Sequence, residues 1–125
     1  MLLDTHTLLW FLDNDIKLPL HLKSLIEAKP KVYVSIVSLW EIAIKLNINK
    51  LRLNYAFTDL ENLLADLNIL VLNITWQHLE ACRNLPLHHR DPFDRMIIAQ
   101  AQQHNFSVIS KDENFKKYNV NLIWE

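Results

Sequence analysis

The chain has 125 residues, of which 50% are hydrophobic and 22% charged, and its formal net charge is −1. It contains no glycine, although average usage near 7% would give roughly nine in a chain of this length. Walker-type phosphate loops, dinucleotide fingerprints and nucleophile elbows all require glycine, so these devices are excluded. The charge balance also argues against nucleic-acid binding by bulk positive charge, although local basic patches are compatible with it.

The length is typical of one domain, here residues 1–125. The single cysteine, Cys82, cannot form an intrachain disulfide, which suits a reducing compartment. The apolar residues at the start are followed at once by Asp4 and His6, so we expect no signal peptide. The apolar runs are far shorter than a membrane span. We therefore expect a cytoplasmic protein that does not contact a membrane.

Short β-branched or apolar runs alternate with amphipathic segments along the whole chain. This pattern predicts an α/β layered fold with a mainly parallel central sheet flanked by helices. In such folds, ligand chemistry lies at the carboxyl ends of the strands. The segment 47–55 has no clear assignment. Strands are predicted at residues 1–3, 31–35, 69–72, 106–109 and 120–124, and helices at 7–12, 19–28, 37–46, 58–67 (capped by Thr58), 75–85, 92–104 and 113–118.

Acidic residues follow the predicted strand ends. Asp4 comes directly after the first strand, and Asp112 comes three residues after residue 109. Asp91 and Asp94 open the helix predicted at 92–104. Each has a purely structural explanation as a helix cap or as part of a capping box with proline at the first helical position.

A further acid, Glu41, lies on a helix that is apolar on most sides. Its polar stripe contains only Ser38, Glu41 and Lys45, and a Glu41–Lys45 ion pair worth roughly 0.2–0.5 kcal/mol would account for it. If the stripe opens towards Asp4 and Asp112, however, the converging carboxylates would raise one another's pKa values. A divalent cation relieves that repulsion, and hard oxygen ligands suit Mg²⁺ or Mn²⁺.

Three segments carry a resemblance to PIN domains, and more narrowly to the VapC-type toxins of bacterial type II toxin–antitoxin pairs. They are residues 3–10 (LDTHTLLW), 38–45 (SLWEIAIK) and 89–101 (HRDPFDRMIIAQA). Ser110-Lys111-Asp112 takes the place of that family's late Thr/Ser-x-Asp element. The match runs over almost the whole chain in the family's order, and DPFDR is its most specific part.

The resemblance implies a PIN-like three-layer fold and a metal-dependent endoribonuclease. Asp4, Glu41, Asp94 and Asp112 match the family's acidic quartet, which implies catalytic and metal-binding roles with Mg²⁺ or Mn²⁺ as cofactor. The pattern departs at Asn114, where many relatives carry a further acid, and this weakens the case for a second metal ion.

We expect the metal to be held chiefly by Asp4 and Asp94, and to activate water for attack on an RNA phosphodiester. Glu41 and Asp112 would orient the water or ligate a second ion. The resemblance implies products with a 5′-phosphate and a 3′-hydroxyl.

Several neighbouring residues have secondary expectations. Asp91 is predicted to cap a helix and to reach the metal only through water. Arg95 and Lys45 are candidates for phosphate contacts, with surface ion pairs such as Asp91–Arg95 as the alternative. His89 is interpreted as a loop residue near the phosphate. Trp40 is predicted to lie in the core.

The resemblance also implies an RNA substrate, a cognate antitoxin protein and a homodimer. The main alternative is a catalytically inactive PIN-like partner-binding scaffold, against which the complete acidic quartet argues. A haloacid dehalogenase-type phosphatase would need a second aspartate two residues after Asp4, where this chain has His6. A receiver-type phosphoacceptor would need an aspartate after the strand at 69–72, where the chain has Asn73.

Overall fold

Five parallel strands form one sheet in the computed structural model, which describes residues 1–124. The pairing order is β3-β2-β1-β4-β5, and every neighbouring pair is parallel. This confirms the predicted α/β class with a parallel central sheet. The strands are β1 (Leu2–Leu3), β2 (Val32–Ser35), β3 (Ile69–Leu72), β4 (Ser107–Ile109) and β5 (Asn121–Ile123).

The helices agree with the predicted ones to within a few residues, and the last long helix agrees at both ends. Two differences occur. Thr58 does not cap a helix but lies inside a 3₁₀ turn, and the segment predicted as a helix at 113–118 is also 3₁₀. No helix within residues 1–124 is long and apolar enough to cross a bilayer. The α-helices are α1 (Thr5–Leu12), α2 (Leu20–Ala28), α3 (Ile36–Asn47), α4 (Leu60–Asp66), α5 (Trp76–Arg83) and α6 (Pro92–His104), and the 3₁₀ turns are Phe57–Asp59 and Glu113–Lys117.

The two faces of the sheet are buried in two separate apolar clusters. Successive strand residues point to opposite faces, so Leu2 and Val108 join one cluster while Leu3 and Ile109 join the other. Burial of both faces explains why the strands are short continuous apolar runs instead of alternating ones. The result is a helix–sheet–helix arrangement.

The chain uses asparagine wherever its described backbone needs a left-handed conformation. All four positive-φ residues found in residues 1–124 are asparagines, with φ between 52° and 58°. Asparagine tolerates this region better than other residues with a β-carbon. Asn105 (φ 55°) ends α6 in this way, as its position after the apolar run predicts. The four residues with positive φ are Asn14, Asn49, Asn68 and Asn105.

Helix α3 is less buried than its composition predicts. Trp40 is 60% exposed, so its placement in the core is wrong. Its ring meets that of Phe93 edge-on, with centroids 5.3 Å apart. On α3 only Val37, Ser38 and Ile42 are buried, and the apolar stripe that contains Trp40 remains largely exposed.

A pair of histidines, of which His78 is buried and His104 exposed, joins α5 to α6. His78 is fully buried, and its Nδ1 accepts a hydrogen bond of 3.0 Å from the Thr75 N–H in the capping box of α5. The proton of the neutral ring must therefore be on Nε2, which lies 2.8 Å from Nε2 of His104. Protonation of His78 would place its Nδ1–H against the Thr75 N–H. The contact with Thr75 thus requires the His78 ring to be neutral.

This pair predicts a loss of stability in acid. Burial, and then the proximity of His104, lower the pKa of His78 below its ordinary value of 6.5. As the pH falls through about 6.5, the unfolded chain binds a proton at His78 and the folded chain does not. The free energy of unfolding therefore falls until the pH reaches the pKa of His78 in the folded chain. We expect the stability advantage of the wild-type chain over a His78→Gln variant to shrink below pH 6.5, by up to about 1.4 kcal/mol per pH unit. Urea unfolding at pH 7.5 and 5.5 measures this difference.

A His21→Gln variant is the matched control, because His21 is exposed on α2. Its stability difference from the wild-type chain should be the same at both pH values. A His78→Gln difference that does not change with pH would contradict a buried, neutral His78.

The topology also locates a crevice. The chain leaves β1 towards β2 and β3 on one side of the sheet, and later returns to place β4 and β5 on the other side. Strands β1 and β4 are therefore neighbours at the point where the strand order reverses. Ligands of open parallel sheets bind outside the carboxyl ends of the strands at such a point.

Candidate active site

Asp4 lies in this crevice, directly after β1. Its Oδ1 accepts a hydrogen bond of 2.9 Å from the Thr7 N–H, so the predicted N-cap of α1 is present. Its Oδ2 accepts a short hydrogen bond from the Ser110 hydroxyl, directly after β4. Asp4 is only 5% exposed, and burial raises the pKa of its carboxyl against the opposing effect of these hydrogen bonds. The carboxylate is thus held rigidly between the two central strands.

Asp94 reaches the same crevice from the first turn of α6. Its Oδ2 lies 2.7 Å from Nε2 of His89. The pKa of Asp94 is raised to about 6, chiefly by burial and further by the charges of Asp91 and Asp4, while His89 lowers it. Asp91 caps α6 as predicted, since its Oδ1 accepts hydrogen bonds from the N–H groups of Phe93 and Asp94. Asp94 and Asp4 are therefore close enough for their charges to interact.

Asp112 comes from the segment that follows β4. It caps the turn Glu113–Lys117 by accepting a hydrogen bond of 2.9 Å from the Asn114 N–H. Its other oxygen, Oδ2, lies 4.0 Å from Nε2 of His89. The Asp112 N–H donates to the Ser110 hydroxyl at 3.0 Å, and that hydroxyl donates in turn to Asp4. Ser110 thereby links the two aspartates.

These contacts produce a compact group of metal-binding side chains. One ligand atom from each of His89, Asp94 and Asp112 lies within 4.8 Å of the other two. Carboxylate oxygens and an imidazole nitrogen together suit a divalent cation such as Mn²⁺, and the buried carboxylate of Asp4 adds negative charge beside them. The side chains present therefore fit the metal that the chain's motifs imply.

Sequence reasoning placed His89 near the phosphate and did not include it among the metal-binding residues. The signal was its position in the loop that leads directly into α6, five residues before Asp94. Periodicity does not define the direction of a loop side chain, so the sequence alone offered no reason to point this ring at the acids.

Glu41 joins the crevice indirectly. Its Oε1 accepts a hydrogen bond of 2.8 Å from the hydroxyl of Thr5, the residue after Asp4. Its Oε2 lies 2.9 Å from Nζ of Lys45, so the ion pair considered as the structural alternative is present. Glu41 thus lies beside the start of α1, while the three-residue group above is formed without it.

The Arg95 side chain is hydrogen-bonded to the backbone of the loop before α6 and of the end of α5. Its Nη1 lies 3.0 Å from the Pro86 carbonyl oxygen and 3.2 Å from that of His89. Its Nη2 lies 3.4 Å from each of the Cys82 and Leu85 carbonyl oxygens. These bonds give Arg95 a structural role and account for the side chain without a phosphate or an ion pair to Asp91.

Tyr118 holds the same loop from the other side. Its hydroxyl donates to the Pro86 carbonyl at 2.8 Å and accepts from the N–H groups of His88 and His89 at 3.1 and 2.9 Å. Arg95 also donates to this hydroxyl, at 3.3 Å. The backbone at His89 is therefore hydrogen-bonded through both its N–H and its carbonyl group.

Two solved structures have a similar fold. The first is a toxin–antitoxin complex from Klebsiella pneumoniae, with 18% identity and a TM-score of 0.62 over 98% of this chain and 94% of that one. The second is a structure of FitAB bound to an IR36 DNA fragment, with 20% identity and a TM-score of 0.65 over 99% of this chain and 95% of that one. No curated protein matches the chain. At these identities the likeness shows the fold alone.

The family follows from the sequence. The family model for the PIN domain matches residues 1–121, which confirms the resemblance noted at the level of the PIN domain. The five-stranded parallel sheet with helices on both faces agrees with it. The chain therefore belongs to the PIN-domain family.

Proposed function

We propose that this chain is a divalent-metal-dependent endoribonuclease that acts in the cytoplasm as the toxin of a toxin–antitoxin pair. The observation that carries the proposal is the meeting of Asp4, Asp94 and Asp112 at the carboxyl ends of β1 and β4. Three carboxylates and one imidazole, without a lysine or arginine hydrogen-bonded among them in the described residues, form a site for a cation.

Asp94 and Asp112 would hold the Mg²⁺ or Mn²⁺ ion together with Asp4. When bound, such a cation supplies positive charge beside the scissile phosphate and lowers the pKa of a water molecule. Burial, and then the charges of Asp91 and Asp4, disfavour an ionised Asp94 in the metal-free chain, so a bound cation would offset a penalty that the fold imposes.

The surrounding groups keep the carboxylates in position. Ser110 and the Thr7 N–H fix both oxygens of Asp4, and Asp91 fixes the first turn of α6 that carries Asp94. Glu41, held by Thr5, would orient the attacking water at the border of the site. Such preorganisation is what catalysis by charge stabilisation requires.

Exposed apolar side chains support the proposed protein partners, an antitoxin and a second copy of the chain. A groove of about 650 Å³ between α3, α5 and α6 is lined mostly by apolar residues that include Trp40, Leu87 and Phe93, and also by Arg90 and Arg95. Of these groove residues, Leu87 is 70% and Trp40 60% exposed. Contiguous apolar surface of this kind is typical of protein-binding sites. Light scattering checks the dimer, and co-purification with the product of the neighbouring gene checks the antitoxin.

The same groove also favours the second candidate, a partner-binding scaffold without catalysis. The two candidates differ in the metal. A nuclease is stabilised by Mn²⁺ or Mg²⁺, because a ligand that binds only the native state raises its apparent stability. A scaffold without a metal site melts at the same temperature at every Mn²⁺ concentration.

The direct test is cleavage of single-stranded RNA by the purified chain. We expect cleavage in Mg²⁺ or Mn²⁺, its loss in excess chelator, and its recovery when metal is restored. Because water is the proposed nucleophile, no 2′,3′-cyclic phosphate should form, and the family resemblance implies product ends with a 5′-phosphate and a 3′-hydroxyl. Cleavage that persists in chelator, or products that end in a 2′,3′-cyclic phosphate, would falsify the proposal.

A further inference from the structure

The ring of His89 lies among the acidic residues of the site. Its Nε2 is 2.7 Å from Asp94 Oδ2 and 4.0 Å from Asp112 Oδ2, and the side chain is only 19% exposed. Atoms that ligate one ion at about 2.0–2.2 Å lie at most about 4.4 Å apart. Both distances from His89 are within that limit, and all three ligand atoms lie within 4.8 Å of one another, so a small side-chain adjustment would bring the imidazole and the two carboxylates to one ion.

The position of this ring is built into the fold. The His89 N–H donates to the Tyr118 hydroxyl at 2.9 Å, and its carbonyl accepts from Arg95 at 3.2 Å. The segment is thus tied to the chain beyond β4 and to α6, the two elements that carry Asp112 and Asp94. The same elements that position the acids therefore position the histidine.

We propose that Nε2 of His89 is a nitrogen ligand of the bound cation, and that it makes this site prefer Mn²⁺ over Mg²⁺. The inference rests on the proposed metal-dependent function and specifies its metal. Imidazole is a good ligand for first-row transition metals, whereas Mg²⁺ takes oxygen ligands and keeps its waters. A neutral nitrogen beside two carboxylates completes a donor set without adding negative charge to an already acidic site.

Proton placement is consistent with this role. In the metal-free chain, the bond between His89 and Asp94 uses Nε2 of the ring. Ligation by Nε2 requires the tautomer that carries its proton on Nδ1. With a cation bound, the His89 nitrogen and the Asp94 oxygen that now contact each other would be two neighbouring ligands.

The test is pulsed electron paramagnetic resonance of the full chain loaded with Mn²⁺. We expect the wild-type spectrum to show nitrogen hyperfine coupling from a directly bound imidazole, and the spectrum of His89→Gln to lack it. His88→Gln is the matched control, because the His88 ring packs against Tyr118 with centroids 5.3 Å apart, and this variant should keep the coupling. Titration should show Mn²⁺ affinity at least about tenfold lower in His89→Gln, since even residues that only orient ligands cost that much. Mg²⁺ affinity should change far less.

Each outcome decides between the two proposals. Bound Mn²⁺ without nitrogen coupling in the wild-type chain, or coupling that survives in His89→Gln, overturns the role of His89 and leaves the metal-dependent nuclease standing. Equal losses of Mn²⁺ and Mg²⁺ affinity in His89→Gln overturn the preference for Mn²⁺. A wild-type chain that binds neither metal overturns both proposals. The wild-type spectrum alone can contradict the proposal, because it should show nitrogen coupling. The test therefore remains decisive even if His89→Gln folds poorly.

Discussion

An Asp94→Asn variant is expected to lose RNA cleavage by about 100-fold or more, and its metal-free form should be more stable than the wild-type chain at pH 8. The substitution removes the charged ligand atom but keeps the size of the side chain. Its amide oxygen can still accept a hydrogen bond from His89, which lies 2.7 Å from the carboxylate in the wild-type chain. The loss of activity therefore reports the missing charge and not a collapsed site.

The gain in stability follows from the raised pKa of Asp94, which is about 6 in the folded chain against an ordinary value of 3.8. Between about pH 4 and pH 6 the unfolded chain releases this proton while the folded chain retains it, so wild-type stability falls as the pH rises through that window. Above it, the buried carboxylate costs the metal-free fold about 2–3 kcal/mol. Asparagine does not ionise and avoids this cost.

Denaturant unfolding in chelator measures the effect. The free energy of unfolding of the variant should be larger than that of the wild-type chain at pH 8. The two values should match near pH 4, where both side chains are neutral. Asp59→Asn is the control, because Asp59 is an exposed acid in the turn before α4 and should change neither activity nor stability by much. Near-normal cleavage by Asp94→Asn would show that the carboxylate of Asp94 is not required for the reaction. A variant less stable than the wild-type chain at pH 8 would contradict the burial of an ionised Asp94.

Most of the fold could be predicted because its signals are local. Pro92 and Asn105 define the ends of α6 through the restricted φ of proline and the left-handed cap of asparagine. Thr58 was misleading because a threonine before an apolar run is typical of an N-cap, whereas here residues 57–59 wind into a 3₁₀ turn first. The prediction that Trp40 lies in the core was wrong for another reason. Periodicity identifies an apolar stripe but does not show whether any other element covers it.

The acidic part of the site was predictable for a related reason. Asp4 and Asp112 each follow a strand end directly or after a short connection, and the parallel topology brings those ends together. The placement of His89 and Arg95 was not predictable, because both are hydrogen-bonded to Tyr118, which lies 29 and 23 residues away in the chain. No local pattern links an arginine to carbonyl groups in an irregular loop.

Replacing Arg95 by methionine is expected to destabilise the chain by about 2–4 kcal/mol. The guanidinium donates to four backbone carbonyl oxygens between residues 82 and 89, and to the Tyr118 hydroxyl. Methionine keeps the length and packing of the side chain but leaves these partly buried acceptors without their donor. Arg95→Lys should restore only part of the loss, because one ammonium group cannot reach acceptors that are spread around a planar fork.

The control is Arg90→Met, because Arg90 is an exposed arginine in the same loop and its replacement should change stability by less than about 0.5 kcal/mol. The Arg95 variants should also bind Mn²⁺ more weakly, since the His89 carbonyl loses the bond that holds its segment beside Asp94. A phosphate-binding Arg95 predicts a different pattern. In that case its replacement would weaken RNA binding while leaving the unfolding midpoint and the Mn²⁺ affinity unchanged. That result would indicate that Arg95 contacts the substrate.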